Sequence, residues 1–131
     1  MKYLLDTSVF LWSLGAEHKL NRKARELLTS NDAELYLSAA SSWEIAIKFA
    51  LGTLLLSKPP SQFVPDAMRA LAIHSLDITH AHSLAAGELP SHHHDPFDRI
   101  LIAQANLENM VLLTGDRAFQ KYEVKTLFCG K

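Results

Sequence analysis

Cys129 is the single cysteine in this 131-residue sequence. Neither an intramolecular disulfide nor a thiolate metal cage can be built from it, and it reads as a free thiol at the surface or partly buried. Long hydrophobic runs are missing as well. The N-terminal stretch Tyr3-Leu4-Leu5 is cut by Asp6, so neither a signal peptide nor a membrane span is expected there. Nothing later approaches the roughly 18 apolar residues that a span requires, and a cytoplasmic location is the default expectation. No internal repeat, low-complexity tract or separating linker occurs, so one domain over residues 1–131 is expected. A strong charge of either sign is also lacking: 13 Lys and Arg face 14 Asp and Glu, for a net charge of −1. Taken alone, that sum argues against a polyanionic partner.

What is present is a 48% hydrophobic content, ample for a core, arranged as strand-length apolar runs alternating with longer helical periodicities. Residues 2–6 read as a buried strand ending at Asp6, followed by a short helix capped by Thr7 or Ser8. Asn21 caps a second helix, and residues 34–37 form a second strand. Ser41 and Ser42 precede an amphipathic helix over residues 43–49 that ends near Gly52. After Pro59-Pro60 comes a helix running toward Leu71, then a weak strand over residues 73–76. Thr79 caps a further helix that fades near Gly87 and Pro90. Asp95 caps the next, with Pro96 at its first position, where the missing N–H costs nothing. That helix continues to Leu107. Residues 110–114 form a clear buried strand, Asp116 to Gln120 a short helix, and residues 124–128 a last strand. Apolar, non-alternating strands separated by helices predict a three-layer α/β/α sandwich around a mostly parallel sheet.

In such sheets ligands bind beyond the carboxyl ends of the strands, and four acids are predicted to gather there. Asp6 ends the first strand. Asp116 follows the Thr114-Gly115 turn after the 110–114 strand. Glu44 lies in the first turns of the helix after the second strand, and Asp98 in the first turn of the helix opened by Asp95-Pro96. Asp98 joins the others if the loop carrying His92-His93-His94 brings the chain back to that edge. Two carboxylates ~4 Å apart repel by about 4 kcal/mol at an effective dielectric near 20, so a crowd of them calls for a counter-charge. A hard divalent cation with oxygen ligands, Mg²⁺ or Mn²⁺, supplies it, and helix N-termini at Glu44 and Asp98 add roughly 0.3–1 kcal/mol each. Such a site suits phosphodiester hydrolysis. Setting the four acids aside leaves 10 acidic against 13 basic residues, a balance compatible with a polyanion. Each acid also has a plain structural reading: Asp6 and Asp116 as helix caps, Glu44 as the partner of Lys48 one turn on, Asp98 in a capping-box-like pair with Asp95.

At these residues the sequence resembles PIN-domain proteins, specifically VapC-type toxins of toxin–antitoxin pairs. The resemblance is carried by Tyr3-Leu4-Leu5-Asp6-Thr7-Ser8-Val9-Phe10-Leu11-Trp12, by Ser41-Ser42-Trp43-Glu44-Ile45, by Asp95-Pro96-Phe97-Asp98-Arg99-Ile100-Leu101-Ile102-Ala103-Gln104-Ala105, and by Leu112-Leu113-Thr114-Gly115-Asp116 with Phe119. These blocks stand in the family's order across nearly the whole chain. The resemblance implies a PIN-like fold and Mg²⁺- or Mn²⁺-dependent endoribonuclease activity on RNA. It also implies homodimerisation and inhibition by a cognate VapB-type antitoxin. By the same resemblance Asp6, Glu44, Asp98 and Asp116 are the metal-binding catalytic acids, and Thr7, Ser8 and Thr114 are supporting hydroxyls. Asp95 is explained fully as a helix cap and stays outside that set.

Lys48, Arg99, Arg117 and Lys121 lie near the acids in sequence, as contacts for RNA phosphates or as solvated salt-bridging residues. Three consecutive histidines, 92–94, rarely converge on one tetrahedral zinc, and spaced ligand patterns are absent. Three other readings compete. A receiver-like phospho-acceptor domain wants paired acids after the first strand and a lysine after a late one. Leu4-Leu5-Asp6-Thr7 offers one acid, and no Lys follows Thr114-Gly115. A haloacid-dehalogenase-type phosphatase would need an acid at Ser8. A non-catalytic PIN-like binding domain is the remaining alternative.

Overall fold

In the computed structural model, which describes residues 1–92 and 94–131, the centre is a five-stranded sheet in the order β3-β2-β1-β4-β5. The strands are β1 (Lys2–Leu5), β2 (Glu34–Ser38), β3 (Ile73–Leu76), β4 (Val111–Thr114) and β5 (Thr126–Phe128). Every pairing is parallel, with Leu5 opposite Leu37 on one side and Leu113 on the other. The helices are α1 (Thr7–Gly15), α2 (Arg22–Leu28), α3 (Ala39–Ala50), α4 (Pro60–Ala70), α5 (His80–Glu88) and α6 (Pro96–Leu107), with 3-10 turns at Glu17–Lys19 and Arg117–Lys121. No helix among the described residues is long and apolar enough to cross a membrane.

The apolar strands are explained by burial on both faces. Successive residues point to opposite sides, so Leu5 and Leu113 join Val9, Phe10, Ala24, Ile45 and Val64 in one cluster. Leu4 and Leu112 join Leu101, Ile102, Ala105 and Phe119 in the other. Helices α1 to α4 therefore contribute to the core on one face, and α6 with the second 3-10 turn covers the opposite face. Cys129 belongs to the first cluster and is fully buried, not surface or half-buried. Loss of thiolate solvation there pushes its pKa up to about 11, so it behaves as a small apolar side chain.

The chain leaves β1 for β2 and β3 on one side, then crosses to β4 and β5 on the other. The crevice where direction reverses lies between the carboxyl ends of β1 and β4. Helix α6 precedes β4 through a short turn in which Asn109 takes a left-handed conformation (φ 56°), one that Asn tolerates well. It runs back against the strands, which puts its first turn at the carboxyl edge. Helices α5 and α6 lie antiparallel. At one end Arg99 reaches the carbonyls of Ala86 and Leu89, and at the other buried His82 meets Glu108 at 2.8 Å.

Three local expectations are corrected. Asp6 itself caps α1, accepting from Val9 N–H at 2.7 Å, so neither Thr7 nor Ser8 does. Helix α3 begins four residues earlier than the serine pair suggests, because Ser38 caps it. Glu44 is therefore its sixth residue, beyond the first turn to which the helix dipole's help is confined. The remaining expected caps, Asn21, Thr79 and Asp95, are in place.

Candidate active site

Asp6, Glu44, Asp98 and Asp116 line one cleft of about 170 Å³, together with Thr7, Ser8, Lys48, Asp95 and Phe119. Four chain segments deliver the four acids: the end of β1, the second turn of α3, the first turn of α6, and the turn after β4. Asp98 stands at the shared edge with the other three acids. His93 itself lies outside the described residues, while His92 packs edge-on against Tyr122.

Asp6, Glu44 and Asp116 are held by local donors. Besides Val9 N–H, Asp6 is bonded by the Thr114 side chain and the Gly115 backbone, yet burial outweighs them and raises its pKa to about 6. Glu44 is buried and spans two partners. Its Oε1 accepts from the Thr7 hydroxyl at 2.7 Å, and its Oε2 from Lys48 Nζ at 2.7 Å. The Glu44–Lys48 pair read from the sequence is therefore real, and it holds the Lys48 ammonium above its ordinary pKa. Asp116 caps the 3-10 turn through Ala118 N–H at 2.9 Å. Its own N–H donates to Thr114 Oγ1 at 2.9 Å. Asp98 is raised to about 7, first by burial and then by the charges of Asp95, Asp6, Glu44 and Asp116.

Among the described residues no three His, Cys, Asp or Glu side chains stand as a ready-made coordination group. The acids share a cleft, with the carboxylates of Asp6, Glu44 and Asp116 held by protein hydrogen bonds. The donor set still fits a hard cation: it is all oxygen, strongly acidic, and its crowding is felt electrostatically at Asp98.

The supporting residues sort clearly. Thr7 bridges Glu44 and the buried hydroxyl of Ser41, 2.9 Å away. Thr114 ties Asp6 to Asp116, and Ser8 lines the cleft. Arg99 is engaged within the protein. Its guanidinium donates to the carbonyls of Pro90, Ala86 and Leu89 at 2.8–2.9 Å, closing the C-terminal end of α5. Arg117 lies over the Phe128 ring, 3.8 Å from its centroid, outside the cleft lining. Of the basic candidates only Lys48 lines the cleft.

Ser41, Asp95 and Phe119 are cleft or support residues that the sequence reading left out. Ser41 stands three residues before Glu44, on the same helix face, which was the available signal. Gly115 is explained by space. A Cβ there would lie 2.3 Å from Trp12 Cη2, so the Trp12 ring fixes the turn that presents Asp116.

Comparison with known proteins agrees with this architecture. A chain of VapBC2 from Rickettsia felis, solved bound to a DNA fragment from its promoter, superposes with a TM-score of 0.72 at 17% identity, covering 98% of this chain and 99% of that one. A chain of VapBC-1 from nontypeable Haemophilus influenzae gives 0.65 at 19% identity, with 98% of each chain covered. FitAcB from Neisseria gonorrhoeae gives 0.65 at 20%, over 95% and 96%. At these identities the likeness is one of fold. In sequence, ribonuclease VapC16 of Mycobacterium tuberculosis is 47% identical over 49 residues. That match takes in 37% of this chain and 35% of the relative, so it spans about a third of either protein. The family model described as PIN domain matches residues 3–125, a span that takes in all four acid-bearing segments. The chain belongs to the PIN domain family.

Proposed function

We propose that this chain is a divalent-metal-dependent endoribonuclease, the toxin of a toxin–antitoxin pair, hydrolysing RNA phosphodiester bonds at Asp6, Glu44, Asp98 and Asp116. The observation that carries the reading is the meeting of four acids from four chain segments in one cleft at the sheet's switch point. Membership of the PIN family and a relative named as a ribonuclease support it.

The four acids would hold Mg²⁺ or Mn²⁺, with Thr7, Ser8 and Thr114 keeping their carboxylates oriented. A bound ion of this kind neutralises charge on the phosphodiester and makes a bound water more acidic. The chain's own contribution is positional. Thr7 and Lys48 fix both oxygens of Glu44, and Thr114 links the acids of β1 and β4. Lys48 also places one cation at the cleft, where a phosphate oxygen can compete for it.

In the same reading the protein is a single PIN domain over residues 1–131, homodimeric and cytoplasmic, and is inhibited by a VapB-type antitoxin. The solved neighbours named as VapBC and FitAB assemblies support the partner.

Purified protein should cleave structured RNAs with Mg²⁺ or Mn²⁺ and stop on addition of EDTA. Asp6→Asn should keep the fold by circular dichroism, since Asn caps helices as well as Asp, and should lose cleavage and growth toxicity. Turnover insensitive to EDTA counts against the metal. Parental cleavage by Asp6→Asn removes that residue from the site.

A further inference from the structure

Among the described residues the exposed large apolar side chains are aliphatic with one exception, Trp43, which is 64% exposed. Burying an indole rewards a fold heavily, so an open one needs a reason. Its position suggests one. Trp43 directly precedes Glu44 on α3, and Phe97 directly precedes Asp98 on α6. The two rings meet edge to face at 5.4 Å and 79°. Both sit one residue from a cleft acid, outside the cleft lining itself, on the two helices that supply Glu44 and Asp98. An edge-to-face contact fixes the indole while leaving a π-face open.

We propose that Trp43, braced by Phe97, is the platform on which an unpaired base of the RNA stacks, fixing the nucleotide beside the scissile phosphate. The inference rests on the nuclease reading above. Unpaired bases are recognised largely by stacking on aromatic side chains, and this tolerates any base because every base has a π-face. Lys48, five residues further along α3, lines the cleft itself and offers a cation to the backbone of that nucleotide. The platform thus selects single-stranded over paired substrate, since a base held in a duplex cannot reach it.

The test is cleavage of a single-stranded oligoribonucleotide scanned with one abasic nucleotide per position, by wild type, Trp43→Ala and Trp43→Phe. In wild type one abasic position should raise KM by about 5- to 150-fold, the span equivalent to loss of one aromatic–base stack, with kcat little changed. Trp43→Ala should show that rise with the intact oligonucleotide and no further rise at the abasic position; Trp43→Phe should stay near wild type. Wild type with no abasic-sensitive position overturns the platform even if Trp43→Ala fails to fold. So does Trp43→Ala with an unchanged KM. A change of mass for Trp43→Ala in sedimentation would make the indole a subunit contact and overturn the assignment. If wild type cleaves no RNA under any metal condition, the nuclease reading falls first and this inference with it.

Discussion

Two aspartates on this chain sit in opposite electrostatic worlds. Asp66, on the exposed face of α4, lies between Lys58 and Arg69; the Lys58 hydrogen bond, aided by both positive charges, holds its carboxyl below the usual range. Asp98, half-buried in the cleft, faces Asp95, Asp6, Glu44 and Asp116, and its pKa is driven up to about 7. A fold selected only for stability would arrange Asp98 as it arranges Asp66, with cations alongside. Lys48 is the single basic residue in the cleft lining, and it is bound to Glu44. The mismatch marks the place where a counter-charge from outside the chain belongs.

The sharpest way to break the comparison is to neutralise each acid in turn. Asp98→Asn should lower RNA cleavage by about 100-fold or more, beyond the 10–100-fold typical of residues that merely support metal ligands. Steady-state kinetics with Mg²⁺ or Mn²⁺ measure it. Gly115→Ala acts on the same acids indirectly, by driving a methyl into Trp12. Overpacking of this kind costs about 1–3 kcal/mol, read by denaturant unfolding, and Asp116 should shift enough to slow cleavage. Adding Trp12→Ala should make the pair less than additive in stability. Arg99→Ala should cost about 1.5–3 kcal/mol, as charged hydrogen bonds to the α5 carbonyls are lost, with KM for RNA unchanged. A raised KM at parental stability would return Arg99 to the substrate. The smallest effect is expected at Asp66→Asn, an exposed site: cleavage at the parental rate and a melting temperature close to parental.

The site was legible in the sequence where backbone pattern and chemistry coincide. Asp6 ends an apolar run, Asp116 follows Thr114-Gly115, and Asp95-Pro96 announces a helix start with its own cap. Each signal is local. The start of α3 was not legible, because Ser38, Ser41 and Ser42 all offer cap chemistry within five residues. The choice is made by tertiary contacts: Ser41 is buried against Thr7, 34 residues away in sequence. The bonding of Arg99 was not legible for the same reason. Its carbonyl partners lie 9 to 13 residues upstream, on the loop and at the end of another helix. The packing of Trp12 on Gly115 likewise joins residues a hundred positions apart, and nothing in either segment signals it.

The burial and crowding that raise Asp6 to about 6 and Asp98 to about 7 also set a sign for stability. Between the ordinary carboxylate value of 3.8 and about 7, the folded protein holds protons that the unfolded chain has released. Stability contributed by those protons is full below 3.8 and is lost as pH rises through the folded values. The most direct test of the cation site is therefore thermal unfolding of metal-free protein at pH 5 and pH 8, repeated at pH 8 with rising Mn²⁺. Melting temperature should fall from pH 5 to pH 8 and recover saturably with Mn²⁺, and Asp98→Asn should blunt both changes. A metal-free melting temperature indifferent to pH, together with equal responses to Mn²⁺ in wild type and Asp98→Asn, would contradict a shared cation at these four acids.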